Sequence, residues 1–322
     1  MLSVSVVIPV YRAEQSLIDL YHQLSAAMPK VSSTFEIIFV EDGSGDGSWP
    51  IIASLARADH RVRGIRMSRN YGQHNALLCG IRAAKHGIIL TMDDDLQHPV
   101  SEVALMLAAL TPEFDVVYGA PQEEQHGFLR DLASRMTKIA LASSMGAETA
   151  RNVSAFRVFR TRLRDGFEAY RSPSVSIDVL LTWTTTRFTA IKVRHAPRAR
   201  GVSGYSPGKL IRHAINLMTG FSTLPLQVAS VVGFVFVFFG FSVLTYVLAN
   251  YMIRGGAVPG FTFLASVIAI FSGAQLFALG IFGEYLARMH FRTMDRPPYL
   301  VGEIAASPAP DAIGSEPDAD TI

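Results

Sequence analysis

The chain of 322 residues has one cysteine, Cys79, so no intramolecular disulfide framework can form. Placed among Leu77, Leu78 and Ile81, that thiol reads as packing and fits a reducing compartment. Charge is scarce too: 17% of residues are charged, below the usual quarter, and the mean hydropathy of +0.27 is high, which together point to membrane segments. Lys+Arg 29 against Asp+Glu 27 leaves a balance of only +2, so no nucleic-acid partner is expected. Lysine is rare beside arginine, 5 against 24, a bias that reads as codon usage. Met1 to Val10 has neither the basic start nor the long apolar stretch of a secretory signal, and the front of the chain is expected to stay in the cytoplasm.

Familiar site motifs are missing as well. Asp42, Ser44, Asp46 and Gly47 imitate the start of a calcium loop, but Ala53 stands where a bidentate glutamate is required. Gly43, Gly45 and Gly47 do not make a dinucleotide fingerprint, and Gly208-Lys209 has neither the upstream glycine nor the hydroxyl of a P-loop. No nucleophile elbow is found.

What is present alternates. Short β-branched runs are separated by longer segments with helical spacing: strand Val4–Val10, helix Glu14–Met28, strand Glu36–Val40, helix Ser48–Arg57, strand Val62–Met67, helix Gln73–Lys85 and strand Gly87–Met92. The series predicts an α/β fold with a mostly parallel, Rossmann-like sheet covered by helices on both faces, and ligands gathering at the carboxyl edge. Further strands are expected at Asp115–Tyr118, Ala155–Phe159 and Phe188–Val193, and helices over Phe128–Met145 and around Asp178–Thr182. Gln122–Gly127 is polar and expected to be mobile, and Arg198–Gly208 reads as a loop.

The composition changes at Pro225. Leu226 to Leu248 has no ionisable residue, and as a helix it spans about 34 Å, enough for a bilayer core of about 30 Å. Phe261 to Gly283 repeats the pattern, which predicts a membrane hairpin. Lys209, Arg212 and His213 precede the first span and Arg288, Arg292 and Arg296 follow the second, against Arg254 alone between them, so both termini are expected in the cytoplasm. Between the α/β part and the first span, Leu210, Ile211, Ala214, Ile215, Met218 and Phe221 recur at helical spacing, as in a helix lying in the lipid interface. The expected division is therefore a catalytic domain over 1–208, an interfacial helix over 209–223, spans over 224–250 and 261–284, a cytoplasmic return over 285–304 and a disordered tail over 305–322.

Three polar clusters fall at successive predicted strand ends: Glu41-Asp42-Gly43-Ser44, Arg69-Asn70-Tyr71-Gly72 and Asp93-Asp94-Asp95-Leu96-Gln97-His98-Pro99. On extended chain Asp93 and Asp95 face one side and Asp94 the other. Two converging carboxylates repel unless a cation lies between them, and hard oxygen ligands suit Mg²⁺ or Mn²⁺, with Gln97 as a neutral addition. His98 reads as loop packing rather than a ligand.

These motifs, with the strand Val6-Val7-Ile8-Pro9-Val10-Tyr11, the run Gln73-His74, the pair of C-terminal spans, Gly283-Glu284-Tyr285 and Arg296-Pro297-Pro298-Tyr299, resemble the family 2 glycosyltransferases of GT-A fold that act on polyprenyl phosphates. That group includes the dolichol-phosphate mannosyltransferases, the bactoprenol glucosyltransferases and the undecaprenyl-phosphate 4-deoxy-4-formamido-L-arabinose transferases. The resemblance implies inverting transfer of a sugar from a nucleotide-sugar donor, a uridine diphosphate sugar by preference, to undecaprenyl phosphate at the inner membrane of a bacterium. The product would serve cell-envelope glycan modification, with a flippase and a periplasmic transferase acting downstream. Pro9, Tyr11 and Asp42 would line the nucleotide pocket, with Asp42 accepting from the base and Glu14 a substitute for an acid that many relatives carry one position earlier. Asp93, Asp95 and Gln97 would hold the metal, Arg130 and Ser134 clamp the acceptor phosphate, and Arg198 meets the donor phosphates.

The chain departs from its relatives at Arg12 and Ala13, at Glu41, at Pro121 in place of an arginine, at Asn152 in place of an acid, and at Gly204 in place of a lysine. Those departures bear on the acceptor and donor-phosphate contacts and keep a non-catalytic, membrane-anchored nucleotide-sugar-binding scaffold as the rival reading. A membrane glycosyltransferase with a different acceptor is another, although the Gln-x-x-Arg-Trp motif of polysaccharide synthases is missing. Gly233, Gly240 and Gly273 serve packing within the hairpin and between subunits equally well, so a homo-oligomer stays open.

Overall fold

The computed structural model describes residues 2–121, 152–172, 175–195, 224–254 and 260–307. The α/β part begins with β1 (Ser3–Val10), α1 (Leu17–Ala27), β2 (Thr34–Glu41), α2 (Ser48–Ala58), β3 (Val62–Met67), α3 (Gln73–Ala83) and β4 (Ile88–Thr91). It continues through α4 (Val103–Ala109), β5 (Val116–Pro121), β6 (Arg157–Arg160), α5 (Ile177–Thr182) and β7 (Phe188–Val193). Two long helices follow, α6 (Leu224–Arg254) and α7 (Phe261–Thr293), and then β8 (Val301–Ala306).

One sheet runs in the order β7-β5-β6-β4-β1-β2-β3-β8. The pairs β1–β2, β1–β4, β2–β3 and β5–β7 are parallel, whereas β6 runs antiparallel to β4 and β5, and β8 antiparallel to β3. The sheet is thus mixed and mostly parallel. β1 and β2 are buried on both faces, which is why they read as near-continuous apolar runs rather than alternating ones, broken at Ser5 and Glu36, where the Ser5 hydroxyl donates to the Glu36 carboxylate at 2.7 Å. Leu17, Leu20 and Leu24 of α1, and Trp49, Ile52 and Ala56 of α2, recur at helical spacing and are the residues those helices bury.

The differences from expectation are local. α1 starts at Leu17 rather than Glu14, because Glu14 lies in a turn and its carboxylate accepts from the Gly47 N–H at 2.9 Å. α4 has no expected counterpart, since seven residues are too few for periodicity to register. The expected tail loses its first two residues: Ala305 and Ala306 pair with Gly64 and Arg63 in β8, and the Ser68 N–H donates to the Leu300 carbonyl at 2.9 Å. The expected Phe128–Met145 helix, interfacial helix and Arg198–Gly208 loop lie outside the described residues.

The chain divides into two compact units, Met1–Leu210 with Arg296–Ile322, and Ile211–Asp295. In the second unit, α6 and α7 run 31 and 33 residues and contain apolar stretches over Leu226–Ile253 and Ile270–His290. Neither stretch is buried within the protein. Exposed side chains as apolar as these suit hydrocarbon rather than water, by length and composition as in a membrane protein.

In the first unit one polar network lies deep in the sheet. Arg157, 2% exposed, is ion-paired to Asp178 of α5, and Tyr118 donates its hydroxyl to the same carboxylate at 3.0 Å. This ties α5 across β5 and β6.

Candidate active site

The site opens where β1 and β4 part. Their pairing ends at Val7 opposite Thr91, with the Met92 N–H donating to the Val7 carbonyl at 3.3 Å. The Val10 carbonyl accepts from the Asp42 N–H at 2.9 Å and so faces β2, and alternation along the strand turns the Pro9 backbone toward β4. Proline has no N–H to continue that ladder. The strands therefore splay into a cavity of about 210 Å³, lined by Pro9, Val10, Tyr11, Asp42, Asn70, Gly72, Gln73, Asp93, Asp94 and Asp95. Each of the three polar clusters contributes to it.

Asp42 fastens two of those clusters together. Its buried carboxylate accepts from the backbone N–H groups of Tyr71 at 2.7 Å and Gly72 at 2.8 Å. Burial raises its pKa, and these two N–H groups pull it back. Next to it, Gly43 has φ +63, and a Cβ there would stand 2.5 Å from the backbone of Arg69 and Asn70. The first loop thus holds the second in place. Glu41, below them, accepts from the Ser44 N–H and faces the Arg66 guanidinium at 3.5 Å.

The aspartate run departs from the extended chain expected for it. Asp94 and Asp95 form a turn, Leu96 has φ +61, and the Gln97 N–H donates to Asp95 at 3.2 Å. A turn cancels strand alternation, and Asp93, Asp94 and Asp95 all line the same cavity. Asp94 accepts from the Tyr11 N–H at 3.0 Å, and Asp93 from the Gln73 side-chain amide at 2.7 Å. Burial, and then the charges of Asp93 and Asp95 working against the Tyr11 N–H, push the Asp94 carboxyl up to about 7.

Residues 5–167 match the family described as glycosyl transferase family 2. Over 307 residues, 94% of each chain, the protein is 33% identical to the undecaprenyl-phosphate 4-deoxy-4-formamido-L-arabinose transferase of Aeromonas hydrophila subsp. hydrophila. It is also 33% identical over 315 residues, 97% of this chain and 94% of the other, to the protein of that name from Pseudomonas syringae pv. syringae. The chain belongs to glycosyl transferase family 2. The fold of this glycosyltransferase is similar to that of the M. tuberculosis glucosyl-3-phosphoglycerate synthase, with a TM-score of 0.51 at 18% identity over 68% of this chain and 80% of that one.

Of the residues expected at the glycosyltransferase site, Pro9, Tyr11, Asp42, Asp93 and Asp95 meet at the cavity. Tyr11 is 46% exposed at its rim, with the Arg12 guanidinium 5.3 Å from the ring centroid. Glu14 and Gln97 are not among the lining residues; Glu14 braces Gly47 instead. Arg130, Ser134 and Arg198 lie outside the described residues. Asn70, Gly72 and Gln73 line the cavity and belong to a recognised motif, but no single-residue signal gave them separate roles. His98 is 5% exposed, stacks on Phe156 with ring centroids 5.1 Å apart and accepts from the Asp93 N–H at 3.3 Å. Burial holds its pKa down to about 4, so at neutral pH the uncharged ring supports the aspartate turn from behind.

A divalent cation suits the donor set. Among the described residues, no three His, Cys, Asp or Glu side chains form a ready-made metal cage. Mg²⁺ and Mn²⁺ need none: one or two carboxylates and the substrate's phosphates serve, and Asp93 and Asp95, both lining one small cavity, are of the right type.

Proposed function

We propose that this glycosyltransferase moves a sugar from a nucleotide donor, by preference a uridine diphosphate sugar, to undecaprenyl phosphate at the cytoplasmic membrane face, with inversion at the anomeric carbon. The observation that carries the reading is the meeting of Tyr11, Asp42 and the Asp93–Asp95 turn on one cavity at the carboxyl edge of the sheet. The relatives that share a third of the residues along almost the whole chain carry that acceptor in their names. The arginines outside the hairpin, against Arg254 alone between its helices, support a topology with the α/β unit in the cytoplasm.

Each group in the cavity has a task. The exposed Tyr11 ring and Pro9 offer an apolar platform for the base, with the Arg12 guanidinium behind the ring. Asp42 holds the Asn70–Gly72 loop against the donor's nucleoside end. Asp93 and Asp95, with Gln97 beside them, would hold Mg²⁺ or Mn²⁺, which when bound supplies positive charge to a leaving nucleoside diphosphate. Arg130 and Ser134 would take the acceptor phosphate, and Arg198 the donor phosphates. An acceptor phosphate is already an anion, so attack needs no general base, and catalysis reduces to in-line positioning and stabilisation of the departing group.

The test is sugar transfer by the full chain in detergent, with undecaprenyl phosphate, Mg²⁺ or Mn²⁺ and a panel of nucleotide sugars, read as lipid-linked sugar by mass spectrometry. Asp95→Ala and chelation of divalent metal should each abolish product while the melting temperature is kept. Turnover that survives in Asp95→Ala would sink the metal assignment. Nucleotide binding without turnover on any donor would favour the scaffold reading.

A further inference from the structure

We propose that the opposite, amino-terminal edge of the sheet carries a second anion site, which takes a phosphate-bearing ligand. A cavity of about 610 Å³ lies there, beneath the neighbouring strands β7, β5, β6 and β4, lined by Lys85, Arg160, Thr161, Arg162 and Arg187 among others. Gly87 lines this cavity and Asp93 the catalytic one, so the two are separated by the length of β4, about 20 Å of extended chain.

The charge balance at this edge suits an anionic ligand. Asp115, just before β5, is 4% exposed and is the carboxylate on which the arginines converge. Arg187 forks onto it, Nε to one oxygen at 3.0 Å and a terminal nitrogen to the other at 2.8 Å, which closes one planar pair. Thr185 gives its hydroxyl to the first oxygen at 2.9 Å. Arg162 at 3.0 Å and Arg160 at 3.4 Å then crowd the second oxygen, which Arg187 already occupies. One negative charge therefore faces three guanidiniums, and among the described residues the Lys85 ammonium enters no ion pair. A tie between β5 and β7 needs only Arg187.

Arg162, with its side chain 65% exposed, spends one donor on Asp115, keeps the rest of its planar fork for other partners, and lines the cavity. Guanidinium forks match the oxygen spacing of a phosphate, and Lys85 adds a point charge. The ligand class is a phosphate-bearing anion, either soluble or the headgroup of an anionic lipid.

The experiment uses the full chain with Asp95→Ala, in chelator, in phosphatidylcholine nanodiscs, titrated with inorganic pyrophosphate by calorimetry. Saturable binding is expected, weakened about tenfold or more by the double change Lys85→Ala/Arg162→Ala and by raised salt. Both side chains are exposed and outside the catalytic cavity, so the same change in the otherwise unaltered chain should keep its melting temperature and sugar transfer. A second arm repeats the titration in discs containing phosphatidylglycerol. A fall in pyrophosphate affinity there that disappears in the double variant assigns the pocket to a lipid headgroup, and unchanged affinity assigns it to a soluble phosphate. Absence of saturable binding in both discs, or equal binding by the double variant, overturns the proposal.

Discussion

Gly43 and Gly45 stand two residues apart with nearly the same backbone, φ +63 and φ +71, yet alanine should treat them very differently. At both, a side chain in the left-handed region costs about 1–2 kcal/mol, offset in part by about 0.4–1 kcal/mol from a less disordered unfolded chain. Around Gly45 there is nothing within 4 Å of the added carbon, so about 1 kcal/mol is the whole effect. At Gly43 that carbon lands 2.5 Å from the backbone of Arg69 and Asn70, where ordinary contact starts at 3.4 Å. Neither backbone can give way easily: Asp42 holds Tyr71 and Gly72, and Leu300 holds Ser68. Overpacking of this kind adds about 1–3 kcal/mol. At roughly 2–4 °C per kcal/mol for a domain of this size, Gly43→Ala should melt about 2–12 °C below Gly45→Ala. Because the displaced loop carries Asn70 and Gly72 into the cavity, Gly43→Ala should also weaken nucleoside diphosphate binding, while Gly45→Ala leaves it near wild type. Thermal melts in detergent and equilibrium binding read both. Equal melting temperatures for the two variants would refute the close approach of the two loops.

Asp178→Ala strands Arg157 in the interior without its counter-charge and should cost about 3–5 kcal/mol, whereas Arg157→Met with Asp178→Leu should cost much less; thermal melts of both variants decide. The Arg61 side chain holds the Asp59 carboxyl down to about 2, against burial, with help from Tyr21. A carboxylate lowered by folding stabilises above its ordinary pKa of 3.8 and loses that contribution as pH falls toward about 2. The melting-temperature gap between wild type and Asp59→Asn should therefore be full above about pH 5 and close across that window; a gap that is constant from pH 5 to pH 3 would contradict the pairing.

The alternation of β-branched runs with helical spacing was enough to place β1 to β4 and α2 to within a residue or two, because buried parallel strands leave continuous apolar runs that need no partner to be recognised. The two apolar helices were legible for the same reason: composition alone decides which solvent they can face. The polar clusters at strand ends were legible as a set. Their individual tasks were not, since a motif does not say whether a carboxylate will spend its oxygens on ligand or on a neighbouring loop, and Asp42 spends both on Tyr71 and Gly72.

Tertiary structure decided the rest. β8 carries no strong strand pattern and joins the sheet only because β3 offers an unpaired edge. Asp94 enters the cavity because the chain turns at Asp94–Asp95, and that turn is held by Tyr11 and Ser16 from another part of the chain. The crowding of Arg160, Arg162 and Arg187 on Asp115 joins residues up to 72 positions apart in sequence. Local propensity acts over a turn or a strand, so the sequence by itself determined most of the elements other than α4 and β8, their order and the family; contacts between distant loops determined which side chains share a site.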